Sequence, residues 1–436
     1  MDTGHAAWVL TSASLVLLMT PGLALFYGGM TRAKTVLNMM MMSFGVLAVV
    51  PVVYVLWGWS MSYGSEDVAG LFANPFELFG LDGVADGDYI AIAFQVTFAI
   101  ITTALISGAI ADRARFSTWM VFAGVWVTLA YFPLAHMVWG GGLLSADGPF
   151  ADIAAPIDYA GGTVVHINAG VAGLVLALLL GVRRGFGREP IRPHNLPLTM
   201  LGAGLLWFGW FGFNVGSFVP TATGTGTAFA TNFVDETGLV WVNTTVCTSV
   251  AMLGWLLLEK LRDGKATSLG AASGVVAGLV AITPACGALS PVGSIALGLV
   301  VGVLCALAVG LKYRFGYDDS LDVVGVHLVG GLVGTIGVGF LAVEGGLMYG
   351  DGGSQLAVQS IIAVVAVAFS AVVTTVIGFA LKLTMGWRVD DDAESEGIDV
   401  NEHGESAYDF VSATGSRTVT GASTKVTERA SEGAIV

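Results

Sequence analysis

Charge is what this chain most lacks. Of its 436 residues only 11% are Asp, Glu, Lys or Arg, against roughly 25% in soluble domains, and that excludes an ordinary water-soluble globule. Ten stretches carry no charge at all: 4 to 31, 35 to 65, 89 to 111, 116 to 146, 159 to 182, 196 to 234, 237 to 258, 266 to 311, 323 to 343 and 354 to 381. Each exceeds the ~20 apolar residues that cross a bilayer as helix. Cysteine is scarce too. Cys247, Cys286 and Cys305 all lie in apolar spans, so there is no disulfide framework and no indication of redox compartment. A Walker loop, a dinucleotide fingerprint and a Ser, His and Asp constellation are also missing. Nothing suggests that ATP drives the work, and neither an enzymatic role, a cofactor nor a nucleic-acid partner is expected. The absence of a TVGYG filter disfavours a potassium channel.

What is present is an all-α integral membrane protein. The run from 266 to 311 is long enough for two crossings, with Pro284, Gly287 and Pro291 supplying a turn, so the count is eleven transmembrane helices. The second half of the run 196 to 234, rich in Thr and Gly, is too polar to face lipid and reads as an external loop. Basic residues accumulate in cytoplasmic loops. With the N-terminus outside, every Lys and Arg before the tail falls inside: Arg32 and Lys34, Arg113 and Arg115, Arg183 to Arg192, Lys260 to Lys265, Lys312 and Arg314, Lys382 and Arg388. The C-terminus is then inside. The first apolar stretch exceeds a signal-peptide core and is followed, not preceded, by its basic residues, so it reads as a retained span.

The chain divides into a membrane domain at 1–389 and an acidic tail at 390–436. The formal net charge is -14. Surplus acid can draw cations toward an outer vestibule or reflect a salt-adapted prokaryotic host; acidity in the cytoplasmic tail as well favours the second. The end of the tail, rich in Ser, Thr and Gly, is expected to be disordered.

Two segments read alike when their histidines are aligned, "GGTVVHINAGVAGLV" around His166 and "DVVGVHLVGGLVGTI" around His327. Glycines follow four and seven residues later in both, and an aspartate precedes each helix, Asp158 and Asp322. His166 lies in the fifth span and His327 in the tenth. A unit of five helices enters the second time from the opposite side, which gives a five-plus-five inverted repeat with its site at mid-bilayer. Repeat one covers about 7–182 and repeat two about 196–345, and the extra peripheral helix, about 356–384, packs around them. Ionisable side chains within spans usually line a pathway. Facing each other, the two imidazoles can share a proton; the plainer reading is a hydrogen bond that ties two helices. With no third ligand they make a poor metal site.

The stretches "TPGLALFYGGMTRAKTVLNMM", "HMVWGGGL", "DYAGGTVVHINAGVAGLV", "WFGWFGFNVGS" and "DVVGVHLVGGLVG" resemble the ammonium transporter family, Amt, whose eukaryotic relatives are the Mep and Rhesus proteins. The likeness runs from about Trp8 to Tyr408. It implies that Trp139 and Ser217 recruit the cation outside, by cation–π attraction and a hydroxyl acceptor, and that Phe98 and Phe213 close the pore below them. It implies that Asp158 holds the loop and helix start in place near that site, and that His166 and His327 are the twin histidines of the lumen.

The resemblance further implies a multi-pass cell-membrane protein that takes up ammonium or methylammonium, deprotonates it and conducts ammonia. It implies a homotrimer and a cytoplasmic segment, "EGIDVNEHGESAY", read by a PII-type signalling protein, in which Gly397, Asp399, His403, Gly404 and Tyr408 sit at family positions. An ammonium sensor acting through a PII-type partner and a Rhesus-type conductor of ammonia or carbon dioxide are the alternatives. The Trp139 and Ser217 pair argues against the second.

Overall fold

The computed structural model describes residues 3–189, 192–219 and 227–408, with the backbone alone at 227–231. Eleven helices carry the fold: α1 (Thr3–Met30), α2 (Val36–Tyr63), α3 (Asp86–Ile110), α4 (Phe116–Trp139), α5 (Gly162–Leu180), α6 (Leu196–Val215), α7 (Thr227–Asp263), α8 (Ser268–Ile282), α9 (Pro291–Phe315), α10 (Val324–Leu341) and α11 (Ser354–Thr384). Ten are long and apolar enough to span a membrane, and α8, with 15 residues, is shorter. The run 266 to 311 is therefore α8 and α9 with a turn between. Helix α8 is buried throughout Ala272–Ile282, so its neighbours, rather than lipid, surround most of it. A two-residue hairpin, β1 (Asp67–Val68) and β2 (Phe72–Ala73), is the one sheet among the described residues. The expected external loop after α6 is shorter than its polarity suggests, because α7 begins at Thr227; residues 220–226 lie outside those described.

Glycines set how closely the helices approach. A Cβ on Gly202 of α6 would lie 2.3 Å from the Phe26 nitrogen of α1, and one on Gly22 of α1 would lie 3.1 Å from the Leu205 Cβ. Small residues at such crossings let backbones meet. The contact between α5 and α10 is reciprocal: a Cβ on Gly170 would meet Leu328, and one on Gly331 would meet Ile167. Each glycine lies four residues after its histidine, and each partner lies one after the opposite histidine. Residue i against j and j against i is the mark of a two-fold relation. Helix α11 crosses both repeats. Its Gln359 donates to the Ile157 and Thr335 carbonyls, its Ser370 donates to the Asn168 carbonyl, and its Thr374 accepts from the Trp126 indole.

The basic ends of the helices gather on one face, the inner face by the charge rule. There Arg183, just after α5, donates to Asp112 after α3 at 3.0 Å and to Asp318 before α10 at 2.8 Å, joining the two repeats. Burial alone would raise the Asp318 carboxyl, but hydrogen bonds and charge from Arg183 hold it below the usual range. The tail then runs beneath this face as a short helix, α12 (Asp391–Glu396), and a π-turn at Asp399–His403.

Candidate functional site

Both histidines occupy π-turns at the starts of their helices, Gly162–Ile167 in α5 and Val324–Leu328 in α10. Such turns are rare and concentrate at functional sites. Their Nδ1 atoms are 3.3 Å apart, and the rings lie 5.4 Å apart at 23°. In this contact one imidazole donates and the other accepts, so the accepting ring is neutral. Both side chains are buried, and His166 Nε2 has no hydrogen-bond partner among the described residues.

His166 borders a narrow cavity of about 10 Å³ walled by Leu23, Ile101, Trp210, Phe213 and the two histidines. A space of this size admits about one water-sized molecule. Next to it, past Phe26, Val276 and His327, lies a second cavity of about 10 Å³ that reaches Leu321 and Asp322. Those two residues also line an inner vestibule of about 500 Å³, with Arg188, Lys312 and Tyr313. The wall is apolar in its middle and polar at its inner end.

Toward the outside, Phe213 is stacked on Phe98, with centroids 4.1 Å apart at 18°, and both rings are fully buried. Trp139 meets Phe98 edge-on at 6.1 Å. The half-buried Ser217 lies one turn past Phe213 and donates to its carbonyl at 2.8 Å. The Trp139 indole donates to the Asp158 carbonyl at 2.9 Å. The Asp158 carboxylate accepts from the amides of Gly161 at 2.9 Å, Gly162 at 2.5 Å, Thr163 at 2.8 Å and Val164 at 3.4 Å, and from the Thr163 hydroxyl. Every lone pair of that carboxylate is engaged in starting α5. The geometry thus brings Trp139, Phe98, Phe213, His166 and His327 into one file, with Ser217 and Asp158 beside it.

Some residues of the site are not evident from the sequence. Trp210 stacks on His166 at 5.4 Å and 18° while its indole donates to Thr283 at 2.9 Å; its only signal is its place in "WFGWFGF". The counterpart of Asp158 is Asp319, not Asp322. Asp319 accepts from the amides of Val323 and Val324 at 3.0 and 2.7 Å, whereas Asp322 is bound by Lys312 at 2.6 Å. Asp322 stands closer to the helix start, but a carboxylate must precede a π-turn by several residues to reach its free amides.

The tail residues find partners on the inner face. Asp399 accepts from the amides of Leu37 and Asn38 at 3.0 and 2.8 Å, His403 meets the Asn38 side chain at 3.0 Å, and Tyr408 meets His194 at 2.9 Å. Gly397 and Gly404 have φ of 140° and 69°, a backbone that favours glycine. Nearby, Glu394 accepts from Arg388 and from the Arg184 amide.

Residues 7–408 match the Ammonium Transporter Family. The chain is 51% identical over 452 aligned residues to the ammonium transporter of Mycobacterium tuberculosis (strain ATCC 25618 / H37Rv), covering 95% of this chain and 92% of that one. It is 46% identical to the ammonium transporter of Aquifex aeolicus, with 94% of each chain covered. Among solved structures it is similar to a sensor Amt protein (TM-score 0.81, 28% identity, 92% of this chain and 98% of that one). It is likewise similar to Mep2 of Saccharomyces cerevisiae (TM-score 0.79, 30% identity, 90% of this chain and 88% of that one). A file of aromatic rings and paired imidazoles, set in apolar helices and matched along nearly its whole length, places this chain in the ammonium transporter family, as a multi-pass membrane protein that transports ammonium and is not an enzyme.

Proposed function

We propose that the chain recruits ammonium at Trp139 and Ser217, strips its proton near the Phe98–Phe213 stack and passes ammonia along His166 and His327. The observation that carries this reading is that His166, whose Nε2 is unpartnered among the described residues, lines a cavity sized for one small molecule. A buried polar atom without a partner is costly, and a molecule of ammonia, with donors and a lone pair, supplies one. An ion as large as ammonium and unable to lose a proton, such as potassium, meets only apolar walls and aromatic and imidazole rings. Asp158 acts through the α5 start and the Trp139 indole.

On this reading the protein works as a homotrimer, and a PII-type protein closes the inner mouth through the vestibule and the tail segment bearing Gly397, Asp399, His403, Gly404 and Tyr408. What supports the tail's part is that it reaches the α1–α2 loop, the start of α4 and the α5–α6 loop through Lys34, Glu402 and Arg184.

The test is labelled methylammonium uptake and membrane current measured together in proteoliposomes. The paired replacement His166→Leu with His327→Leu is expected to abolish ammonium-specific transport, by blocking the pore or by admitting potassium. Wild-type uptake with unchanged selectivity would leave the pair a helix tie only.

A further inference from the structure

Three residues before Trp139, His136 is buried at 1% exposure, and both of its ring nitrogens face oxygens. Nδ1 lies 3.2 Å from the Ser62 carbonyl at the end of α2, and Nε2 lies 2.9 Å from the Asp67 carboxylate on β1. A carbonyl and an ionised carboxylate only accept, so a neutral imidazole would aim a lone pair at one of them. The imidazolium alone satisfies both.

We propose that His136 is a protonated positioning residue for cation recruitment, a clamp that joins the outer hairpin and the end of α2 to the turn of α4 bearing Trp139. The hairpin is fixed to the same turn a second time, where Leu143 donates to the Gly70 carbonyl at 2.8 Å. Asp67 in turn accepts from the Gly70 amide, so its carboxylate holds both the hairpin turn and the imidazolium. No Cβ fits at Gly140, where one would lie 2.1 Å from the Ser62 carbonyl and 2.7 Å from His136 Nδ1; the clamp closes directly against the backbone that follows Trp139. The pair of His136 and Asp67 is neutral as a whole, so it orients the tryptophan without repelling the arriving cation.

The titratable and charged groups around the ring belong to several elements. Tyr63 follows Ser62 on α2, Glu66 adjoins Asp67 and accepts from Asn74, and Glu77 accepts from Ser65 and the Glu66 amide. Asp158 reaches the site only through its carbonyl, on the Trp139 indole. None of these acids meets His136 directly among the described residues except Asp67. The proposal rests on Trp139 as the recruitment residue.

The experiment is methylammonium uptake by proteoliposomes at neutral pH, where an alkylammonium is charged as a lysine is. His136→Gln, which keeps one donor, and Asp67→Asn on the half-exposed hairpin are expected to raise KM about tenfold at constant maximal rate, the loss of one charge-assisted contact. Histidine ¹⁵N resonances should show an imidazolium at neutral pH that is missing in His136→Gln. Asp67→Asn keeps the test open where His136→Gln fails to fold. Trp139→Leu separates the two readings. If it raises KM while Asp67→Asn leaves KM unchanged, the clamp is overturned and recruitment at Trp139 stands. If Trp139→Leu leaves KM unchanged, the recruitment reading fails and the clamp fails with it.

Discussion

Asp158 and Asp319 stand eight residues before His166 and His327 respectively, and each carboxylate accepts the free amides of the π-turn that carries its histidine. Five donors converge on Asp158, while two amides do so on Asp319 with Lys312 nearby. Removing the Asp158 carboxylate strands several buried N–H groups at roughly 1–3 kcal/mol each. Asp158→Ala is therefore expected to lose at least about 3 kcal/mol of stability, with Asp158→Asn retaining part of it. Thermal unfolding in detergent measures the difference, and an unshifted transition in Asp158→Ala would deny the cap its importance.

Asp319 carries a pH dependence of its own. Burial pushes its carboxyl up to about 6, with Lys312 opposing. A folded value above the unfolded ~3.9 means that the folded protein holds this proton more tightly. Its contribution to stability is then fully present below about 4 and lost as pH rises through 6. The wild type should lose stability relative to Asp319→Asn across that window, and parallel unfolding curves for the two proteins would contradict it.

How much of this was readable in the sequence depends on distance along the chain. The spans were legible because bilayer thickness fixes helix length, and the histidines because an ionisable side chain in an apolar run has few innocent explanations. Asp319 was passed over for Asp322, since nothing local distinguishes a residue that caps a π-turn from one that pairs with Lys312. Trp210 on His166 and Asp399 on the start of α2 join positions 44 and 361 residues apart, and no local pattern records such pairings. Only the likeness to the family directed attention to the tail.

The reciprocal glycines give an asymmetric prediction. A Cβ on Gly170 would lie 2.4 Å from the Leu328 nitrogen, which is backbone and cannot swing aside, whereas one on Gly331 finds its nearest atoms at 3.1 Å. Gly331→Ala is expected to cost about 1 kcal/mol and Gly170→Ala about 3 kcal/mol or more, within and beyond the usual overpacking range. Yield and unfolding temperature of the two variants would rank them, and equal losses would mean that the helices adjust freely.

The stacked Phe98 and Phe213, both fully buried, stand between Trp139 and the histidines. Replacing both by Leu keeps the gate apolar but loses the face-to-face fit, so potassium exclusion should weaken at least about tenfold, about 1.4 kcal/mol of barrier. Potassium current in proteoliposomes reports it. Unchanged exclusion would move selection inward, to the histidines alone.

The tail is held by its acids on backbone amides, two of them at helix starts. Asp399 accepts the first free amides of α2, Glu402 accepts the Phe116 amide at the start of α4, and Glu394 accepts the Arg184 amide. The first two are the capping interaction that a helix normally finds in its own preceding residue, and here Thr35 makes no side-chain cap for α2. Detaching the tail consequently uncaps two transport helices. Asp399→Ala is expected to cost about 1–2 kcal/mol, enough to raise the population of detached tail roughly five- to thirtyfold. The detached segment becomes accessible to protease while the membrane helices stay folded, so cleavage within 390–408 should accelerate by that factor. Uptake should fall together with it if the cap holds α2 in its conducting position. Faster cleavage with normal uptake would restrict Asp399 to anchoring, and unchanged cleavage would mean that Glu394 and the Tyr408–His194 contact hold the tail without it.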